Sequence, residues 1–143
     1  MKLSIFIDKE HEEEVIVYTH KETELVEEIR NIIANKQGLL LGYSNNEIVK
    51  LNTAEIECFF VESNKVYALK DQVRYRLKER LYQLESQLPD NFIKINQSCI
   101  ANIDKIQKFD VSFSGSLTVI FKSGYHDYVS RRNMKKVKER LGL

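Results

Sequence analysis

The segment at residues 92–104, FIKINQSCIANID, decides the fold that we predict for this chain. Its first residues alternate between apolar and polar side chains, which is the pattern of a β-strand with one buried face. Asn96, Gln97 and Ser98 then form a polar cluster, and Asn102 follows a second apolar run. A plain strand needs no such cluster. We therefore interpret the flanking apolar residues as anchors that hold the polar groups in place.

The composition indicates one folded domain, or one domain with a small appendage. The chain has 143 residues, of which 43% are hydrophobic and 30% are charged, with five Gly and one Pro. This is enough apolar material for a core, and it argues against long linkers. The N-terminus has only a short apolar patch broken by charge, so we expect no signal peptide or membrane span and a cytoplasmic location. Cys58 and Cys99 lack metal-ligand spacing, so we expect buried thiols in a reducing compartment.

The near-neutral net charge of +1 conceals a strong asymmetry along the chain. Residues 1–36 contain five Lys/Arg and nine Asp/Glu, a balance of −4. Residues 92–143 contain ten Lys/Arg and four Asp/Glu, a balance of +6. Such polarity says little about the fold, but it creates a local positive field. We therefore expect the C-terminal part to meet an anion.

Short strands dominate the predicted secondary structure. Alternation and turn residues predict strands at 2–8, 14–20, 39–43, 47–51, 55–62, 65–70, 73–77, 92–96, 105–113, 116–122 and 126–130. Helical periodicity predicts helices at 22–36, 78–87 and 131–141, with a capping box formed by Thr19 and Glu22 before the first. The regular spacing of the strands is typical of an all-β sandwich or barrel with peripheral helices.

The residues do not indicate an enzyme. The three histidines are scattered, and no nucleophile stands at a recognisable spacing from any of them. The sequence contains no glycine-rich phosphate loop and no paired metal-ligand motif. We therefore predict no catalytic residues, no cofactor and no metal.

The last predicted helix carries most of the positive charge. Met134, Val137 and Leu141 form a narrow apolar stripe that can dock on a sheet, and Ser130 stands at the N-cap position. The rest of the surface is basic: Arg131, Arg132, Lys135, Lys136, Lys138 and Arg140. Arginines in a first turn oppose the helix dipole, which makes sense if an external anion sits there. A solvated basic face is the alternative.

Two further features favour DNA as the anion. Lys94, Lys105, Lys108 and Lys122 extend the basic field into the neighbouring strands and loops. Asn and Gln side chains can hydrogen-bond base edges bidentately, which would give the polar cluster at 96–98 a purpose. Two alternatives remain: an ordinary polar turn, and a protein-interaction module that binds an acidic partner through its basic face.

The segment FIKINQSCIANIDKI also resembles the signature of LytTR-type DNA-binding domains. EIECFFVESNKVYAL, LYQLESQLPDNF and VIFKSGYHDYVSRRNMKKVKERL extend the resemblance, in the family's order, over about residues 39–142. It implies a mainly β (α+β) fold, an elongated stack of antiparallel sheets with peripheral helices. It also implies a bacterial transcription regulator that inserts loops, rather than a recognition helix, into the major groove of double-stranded DNA.

The resemblance implies DNA contacts at three places. These are the loop after strand 55–62, the signature loop and the start of the last helix. The residues are Lys65, Tyr67, Lys94, Asn96, Gln97, Ser130, Arg131, Arg132, Asn133 and Lys135. This chain departs from the family pattern in having Asn96-Gln97 instead of His-Arg, and Cys99 instead of an aromatic residue.

The resemblance also implies that the chain has two parts with different roles. Residues 37–143 form the LytTR-type DNA-binding domain, and residues 1–36 form a strand-strand-helix segment too short to be a receiver domain. This organisation is similar to that of stand-alone regulators, which are often restrained by a small membrane protein. Because two strands and one helix cannot bury a core alone, we expect residues 1–36 to form a homodimer contact or to dock a partner.

Overall fold

The described part of the chain contains ten β-strands and three α-helices. The computed structural model describes residues 2–143, apart from the side chains of residues 31 and 34–39. In chain order the elements are α1 (Glu24–Gly38), β1 (Leu39–Ser44), β2 (Glu47–Asn52), β3 (Cys58–Glu62), β4 (Lys65–Lys70), β5 (Val73–Leu77), α2 (Leu81–Gln87), β6 (Phe92–Asn96), β7 (Cys99–Asn102), β8 (Ile106–Val111), β9 (Leu117–Phe121), β10 (His126–Val129) and α3 (Arg131–Leu141). Short 3-10 helices at Thr53–Glu55 and Ile103–Lys105 follow β2 and β7.

The strands form two antiparallel sheets. The large sheet has the order β2-β1-β5-β4-β3-β7-β6, and the small sheet has the order β10-β9-β8. The turns at 45–46, 63–64 and 71–72 have positive φ at both residues, as in the two-residue hairpin turns that match the twist of paired strands. The predicted hairpins at 39–51 and 55–70 are confirmed, and β5 is the predicted third strand.

The large sheet is buried on both faces around β3, β6 and β7. On one face, Ile95 and Cys99 pack with Phe121 of the small sheet and Val137 of α3. On the other face, Ile100 packs in a second cluster that includes α2. The signature segment is apolar on both sides of its polar cluster because β6 and β7 contribute to both cores.

The two cysteines are fully buried, as the sequence predicts. Cys58 on β3 and Cys99 on β7 belong to the same core cluster. Hydrogen bonding to Cys58, followed by burial, raises the pKa of the Cys99 thiol well above its usual value. The thiol is therefore neutral at physiological pH, which disfavours reaction with oxidants.

The strand registers bring several turns to one end of the molecule. β3 pairs with β7 so that Phe60 faces Cys99, and β1 meets β5 where Tyr43 faces Arg76. The turns at 63–64 and 97–98 therefore share one end of the large sheet, whereas the turns at 45–46 and 71–72 lie at the other end. The tip of the β8–β9 hairpin (residues 112–116) and the start of α3 lie at the corresponding end of the small sheet. We call the turns at 63–64 and 97–98, the tip of the β8–β9 hairpin and the start of α3 the loop edge.

The two strands predicted at 2–8 and 14–20 are wrong. Neither described sheet includes residues 2–20, which form an extended segment with a turn at 9–10. We call residues 2–20 the N-terminal segment. Its large apolar side chains are 60–93% exposed: Leu3, Ile5, Phe6, Ile7, Val15, Ile16 and Tyr18. The alternating pattern is present, but a strand forms only when it pairs with another, and residues 2–20 pair with none of the described strands.

The predicted first helix is present, with a shifted start. α1 begins at Glu24, and the Val26 backbone N–H donates to Thr23 Oγ1 at 3.5 Å, so Thr23 caps the helix instead of Thr19. The Thr19 hydroxyl donates to the carbonyl of Lys21. Leu25 and Ile32 of the predicted stripe are 40% and 60% exposed. No helix among residues 2–143 is long and apolar enough to cross a membrane.

Candidate nucleic-acid interface

Asn96 holds the β6–β7 turn (Gln97 and Ser98) in place. Its side chain is 1% exposed. The amide Nδ2 donates to the Tyr128 carbonyl at 2.8 Å and to Asp127 Oδ1 at 3.1 Å, while Oδ1 accepts the Ser98 N–H at 2.7 Å. The amide thus closes a local turn and ties it to β10 of the small sheet. Its hydrogen-bonding groups are engaged inside the protein.

Backbone hydrogen bonds fix the same turn from two more directions. The Val61 N–H donates to the Ser98 carbonyl at 2.9 Å, which ties the turn to β3. The Ser130 N–H donates to the Ile95 carbonyl at 2.9 Å, which ties the start of α3 to β6. The turn and the helix start are therefore held in one rigid arrangement, and a rigid surface loses less entropy on binding.

Asn96 and Gln97, the two residues predicted to contact bases from this turn, differ in exposure. Gln97 and Ser98 are exposed at the loop edge, so the Gln97 amide is available to a ligand. Asn96 is buried and hydrogen-bonded inside the protein, which disfavours the predicted DNA contact of its side chain. Local sequence cannot indicate this burial, because the partners Asp127 and Tyr128 lie 31 and 32 residues later.

The start of α3 leaves backbone donors uncapped. Ser130 occupies the predicted N-cap position, but its side chain makes no capping hydrogen bond. Instead, Ser130 Oγ accepts Asn133 Nδ2 at 2.7 Å, and the Ser130 carbonyl accepts the Asn133 N–H at 3.1 Å. Ser130 and Asn133 are half-buried, so they shape the helix start. Open N–H groups at a helix start attract anions.

The predicted basic face of α3 is exposed. Arg131, Arg132 and Lys135 are exposed, and none of them pairs with a carboxylate among the described residues. The predicted apolar stripe is confirmed: Val137 is fully buried, and Met134 and Leu141 pack against the same core. The cations therefore project from a helix whose orientation is fixed by packing.

Of the two DNA contacts predicted near the β3–β4 turn, Lys65 and Tyr67, only Lys65 is exposed. Lys65 is exposed at the loop edge. Tyr67 is half-buried, with its ring stacked on Phe60 at 5.5 Å between centroids, so it packs on the core. This packing disfavours the predicted DNA contact of Tyr67. Asn64, at the tip of the turn, is exposed and was missed; its positive φ of 63° marks it as a turn residue.

Lys94 points away from α3. Its strand neighbours Ile93 and Ile95 pack on the α3 side of the large sheet, so alternation turns Lys94 to the opposite face. There its Nζ lies 3.8 Å from Glu85 Oε2 of α2. Lys94 therefore lies on the face of β6 opposite α3, which disfavours its predicted DNA contact; the sequence alone does not say which face of β6 meets which helix.

The described residues offer no obvious place for a metal ion. Within residues 2–143, no group of three or more His, Cys, Asp or Glu side chains could hold one. The polar groups of the loop edge are amides, hydroxyls and cations. Such groups recognise phosphates and base edges.

Comparison with known proteins agrees with this arrangement. The family model described as LytTr DNA-binding domain matches residues 46–142. Two uncharacterised HTH-type transcriptional regulators of Staphylococcus aureus, from strains MSSA476 and NCTC 8325, are 36% and 35% identical over 146 aligned residues. Each alignment covers 100% of this chain and 99% of the relative.

The fold has a solved counterpart. A structure described as a LytTr DNA-binding domain from Bacillus cereus superposes with a TM-score of 0.70 at 18% identity, covering 74% of this chain and 98% of that one. Strands separate α1, α2 and α3, so the described residues contain no helix-turn-helix pair of the kind named for the relatives. The chain belongs to the LytTR family of DNA-binding transcriptional regulators.

Proposed function

We propose that the protein reads double-stranded DNA by inserting the loop edge into the major groove. The Gln97 amide and the Arg132 guanidinium are the reading groups, since Gln pairs bidentately with adenine and Arg with guanine. Lys65, Arg131 and Lys135 contact phosphates, together with the uncapped N–H groups of α3. The observation that carries the proposal is the pair of hydrogen bonds, from Asn96 and from the Ser130 N–H, that locks the β6–β7 turn to the start of α3.

Alanine variants at the loop edge test this division of roles. Gln97→Ala or Arg132→Ala should cost about 1–3 kcal/mol at particular base pairs and relax the preference there. Lys135→Ala should weaken binding to all sequences alike and lower the salt slope by about one unit. Binding titrations against a panel of single base-pair substitutions in the target distinguish these patterns.

Matched controls come from residues of the same type elsewhere. Gln107, an exposed amide on β8, and Lys138, an exposed cation late in α3, lie away from the loop edge. Gln107→Ala should leave base-pair preferences unchanged, and Lys138→Ala should leave the salt slope unchanged. If Gln97→Ala also leaves them unchanged, the β6–β7 turn supports the fold without reading DNA.

The protein acts as a homodimer on a repeated site in this proposal. The N-terminal segment exposes seven large apolar side chains outside the sheets. The Staphylococcus aureus relatives align over the whole chain, so they contain a corresponding segment. Apolar patches of this kind mark interaction surfaces. A second copy is the occupant we favour, because linking two weak half-site contacts raises the overall affinity strongly.

A further inference from the structure

A cleft of about 470 Å³ opens at the loop edge, away from α3. It lies between the ends of β1 and β5, the β3–β4 turn and the segment that leads to α2. We call it the cationic cleft because Lys65, Arg76, Lys78 and Arg80 line it, with Tyr43 on β1 and one carboxylate, Glu79. Neither the resemblance nor the expected DNA contacts assign it a role, apart from Lys65 at its rim.

The four cations of the cleft have no carboxylate partners among the described residues. Two other cations of the large sheet are paired: Arg74 with Glu62, and Lys70 Nζ with Glu55 Oε2 at 2.7 Å. The cleft cations form no such ion pair, and Lys78 Nζ sits 5.2 Å from the centre of the Tyr43 ring. The cleft therefore gathers four cations that no carboxylate of the described residues pairs.

Glu79 reduces this field but does not cancel it. Its Oε2 is buried and has no hydrogen-bond partner in the described structure. One carboxylate against four cations leaves the cleft strongly positive. A concave positive site of this kind concentrates anions.

The distance from the β6–β7 turn to the cleft is similar to the distance from the major groove to the DNA backbone that flanks it. β7, which follows the β6–β7 turn, and β5, which leads into the cleft, are three strand spacings apart in the large sheet. At a spacing of ~4.8 Å this is about 14 Å. The major groove is about 12 Å wide. When Gln97 lies in the groove, the cleft therefore lies at the flanking phosphates.

We propose that the cationic cleft binds phosphate groups of the DNA backbone and extends the footprint away from α3. The inference rests on the proposed function, because it needs the loop edge to face DNA. Phosphate contacts carry no sequence information, so the cleft adds affinity and fixes the register while Gln97 and Arg132 discriminate. Free phosphorylated compounds share this chemistry and are the competing source of the ligand.

The test removes two cleft charges from the full-length protein. Arg76→Gln with Lys78→Gln changes two exposed side chains, so the fold should be retained, as circular dichroism and thermal unfolding will show. Affinity should fall equally for target and random duplex, and the slope of log K against log salt should decrease by about 1–2 units. The ratio of the two affinities should stay constant. The control is Lys21→Gln with Lys50→Gln, which removes the same charge from two exposed side chains outside the loop edge and should leave the slope unchanged.

Duplex length and free phosphate give the second readout. Removing base pairs from the flank beyond the cleft should weaken binding by the wild-type protein but not by the double variant. Target preference in the wild type combined with an unchanged slope in the double variant would overturn the cleft proposal alone. Loss of target preference in the wild type would overturn the proposed function. Stabilisation of the wild type but not the variant by inorganic pyrophosphate, with unchanged DNA binding, would assign the cleft to a free phosphate compound instead.

Discussion

At the scale of single residues, Asn96 and its neighbour Gln97 have opposite roles. Asn96 is buried, and its amide makes three hydrogen bonds, whereas Gln97 is exposed. Asn96→Ala would leave the Ser98 N–H and the Tyr128 carbonyl without these partners, and a buried unsatisfied group costs about 1–3 kcal/mol. We expect a loss of about 2 kcal/mol in the free energy of unfolding, measured by urea denaturation.

The neighbouring residue supplies the control for this prediction. Gln97→Ala should leave the unfolding free energy within about 0.5 kcal/mol of wild type, because surface substitutions are usually that mild. Equal stability of wild type and Asn96→Ala would contradict the role of Asn96 as the residue that holds the turn.

The sequence indicates the polar cluster but not which of its members is buried and which is exposed to a ligand. An Asn or Gln residue has the same chemistry whether it faces DNA or the protein interior, and only its partners distinguish the two. The Asn96 amide donates to groups of β10. The partner of Asn102 Nδ2 is the Ile56 carbonyl, 46 residues earlier. Long-range pairing of this kind lies beyond local pattern.

At the scale of elements, Gly42 sets the distance between β1 and β5. A Cβ at this position would lie 2.6 Å from Leu51 Cδ1 and 2.7 Å from Tyr75 Cβ. Tyr75 Cβ cannot move without its backbone, so Gly42→Ala must push β1 away from β5. We expect a loss of about 1–3 kcal/mol, as for other overpacked sites, seen as a lower midpoint in thermal or urea unfolding.

The adjacent residue on β1 provides a comparison. Leu41 is 48% exposed on the opposite face of the strand, so Leu41→Ala should change stability much less than Gly42→Ala. Unfolding midpoints for Gly42→Ala at or above wild type would show that the β1–β5 junction is not tightly packed.

Elements were predictable where the pattern and the pairing partner are both local. Hairpins such as β3–β4 have both in one stretch of chain, with Ser63 and Asn64 as the turn, and they form as predicted. The strands predicted for the N-terminal segment have the alternating pattern, but the segment pairs with no described strand, and the strands do not form. The pairing of β3 with β7 has no local signal, because the two strands are about 40 residues apart.

At the scale of the whole molecule, substitutions in the N-terminal segment test whether the protein forms a homodimer. Ile5 and Ile16 are 76% and 60% exposed, so Ile5→Ser with Ile16→Ser should not disturb the fold. Wild type should sediment as a dimer and bind a double site cooperatively. The variant should be monomeric, keep its half-site affinity and lose the cooperativity.

Ile48→Ser is the control for this experiment, because Ile48 is an equally exposed isoleucine (65%) on the β2 edge. It should leave the oligomeric state unchanged. A monomeric wild-type protein at high concentration, binding the double site no better than the variant does, would contradict the dimer. The segment would then be a docking surface for a regulator, such as the membrane protein that the family resemblance implies.

The central claim is that the loop edge reads base sequence, and a competition titration tests it most directly. Full-length protein is bound to a duplex from its own upstream region and displaced with either the same duplex or a random one, at one fixed salt concentration. Specific regulators prefer their sites by at least about 10³. We predict a preference of that order, reduced in Gln97→Ala and Arg132→Ala. Equal affinity for both duplexes would contradict sequence reading and leave only a basic surface that binds polyanions.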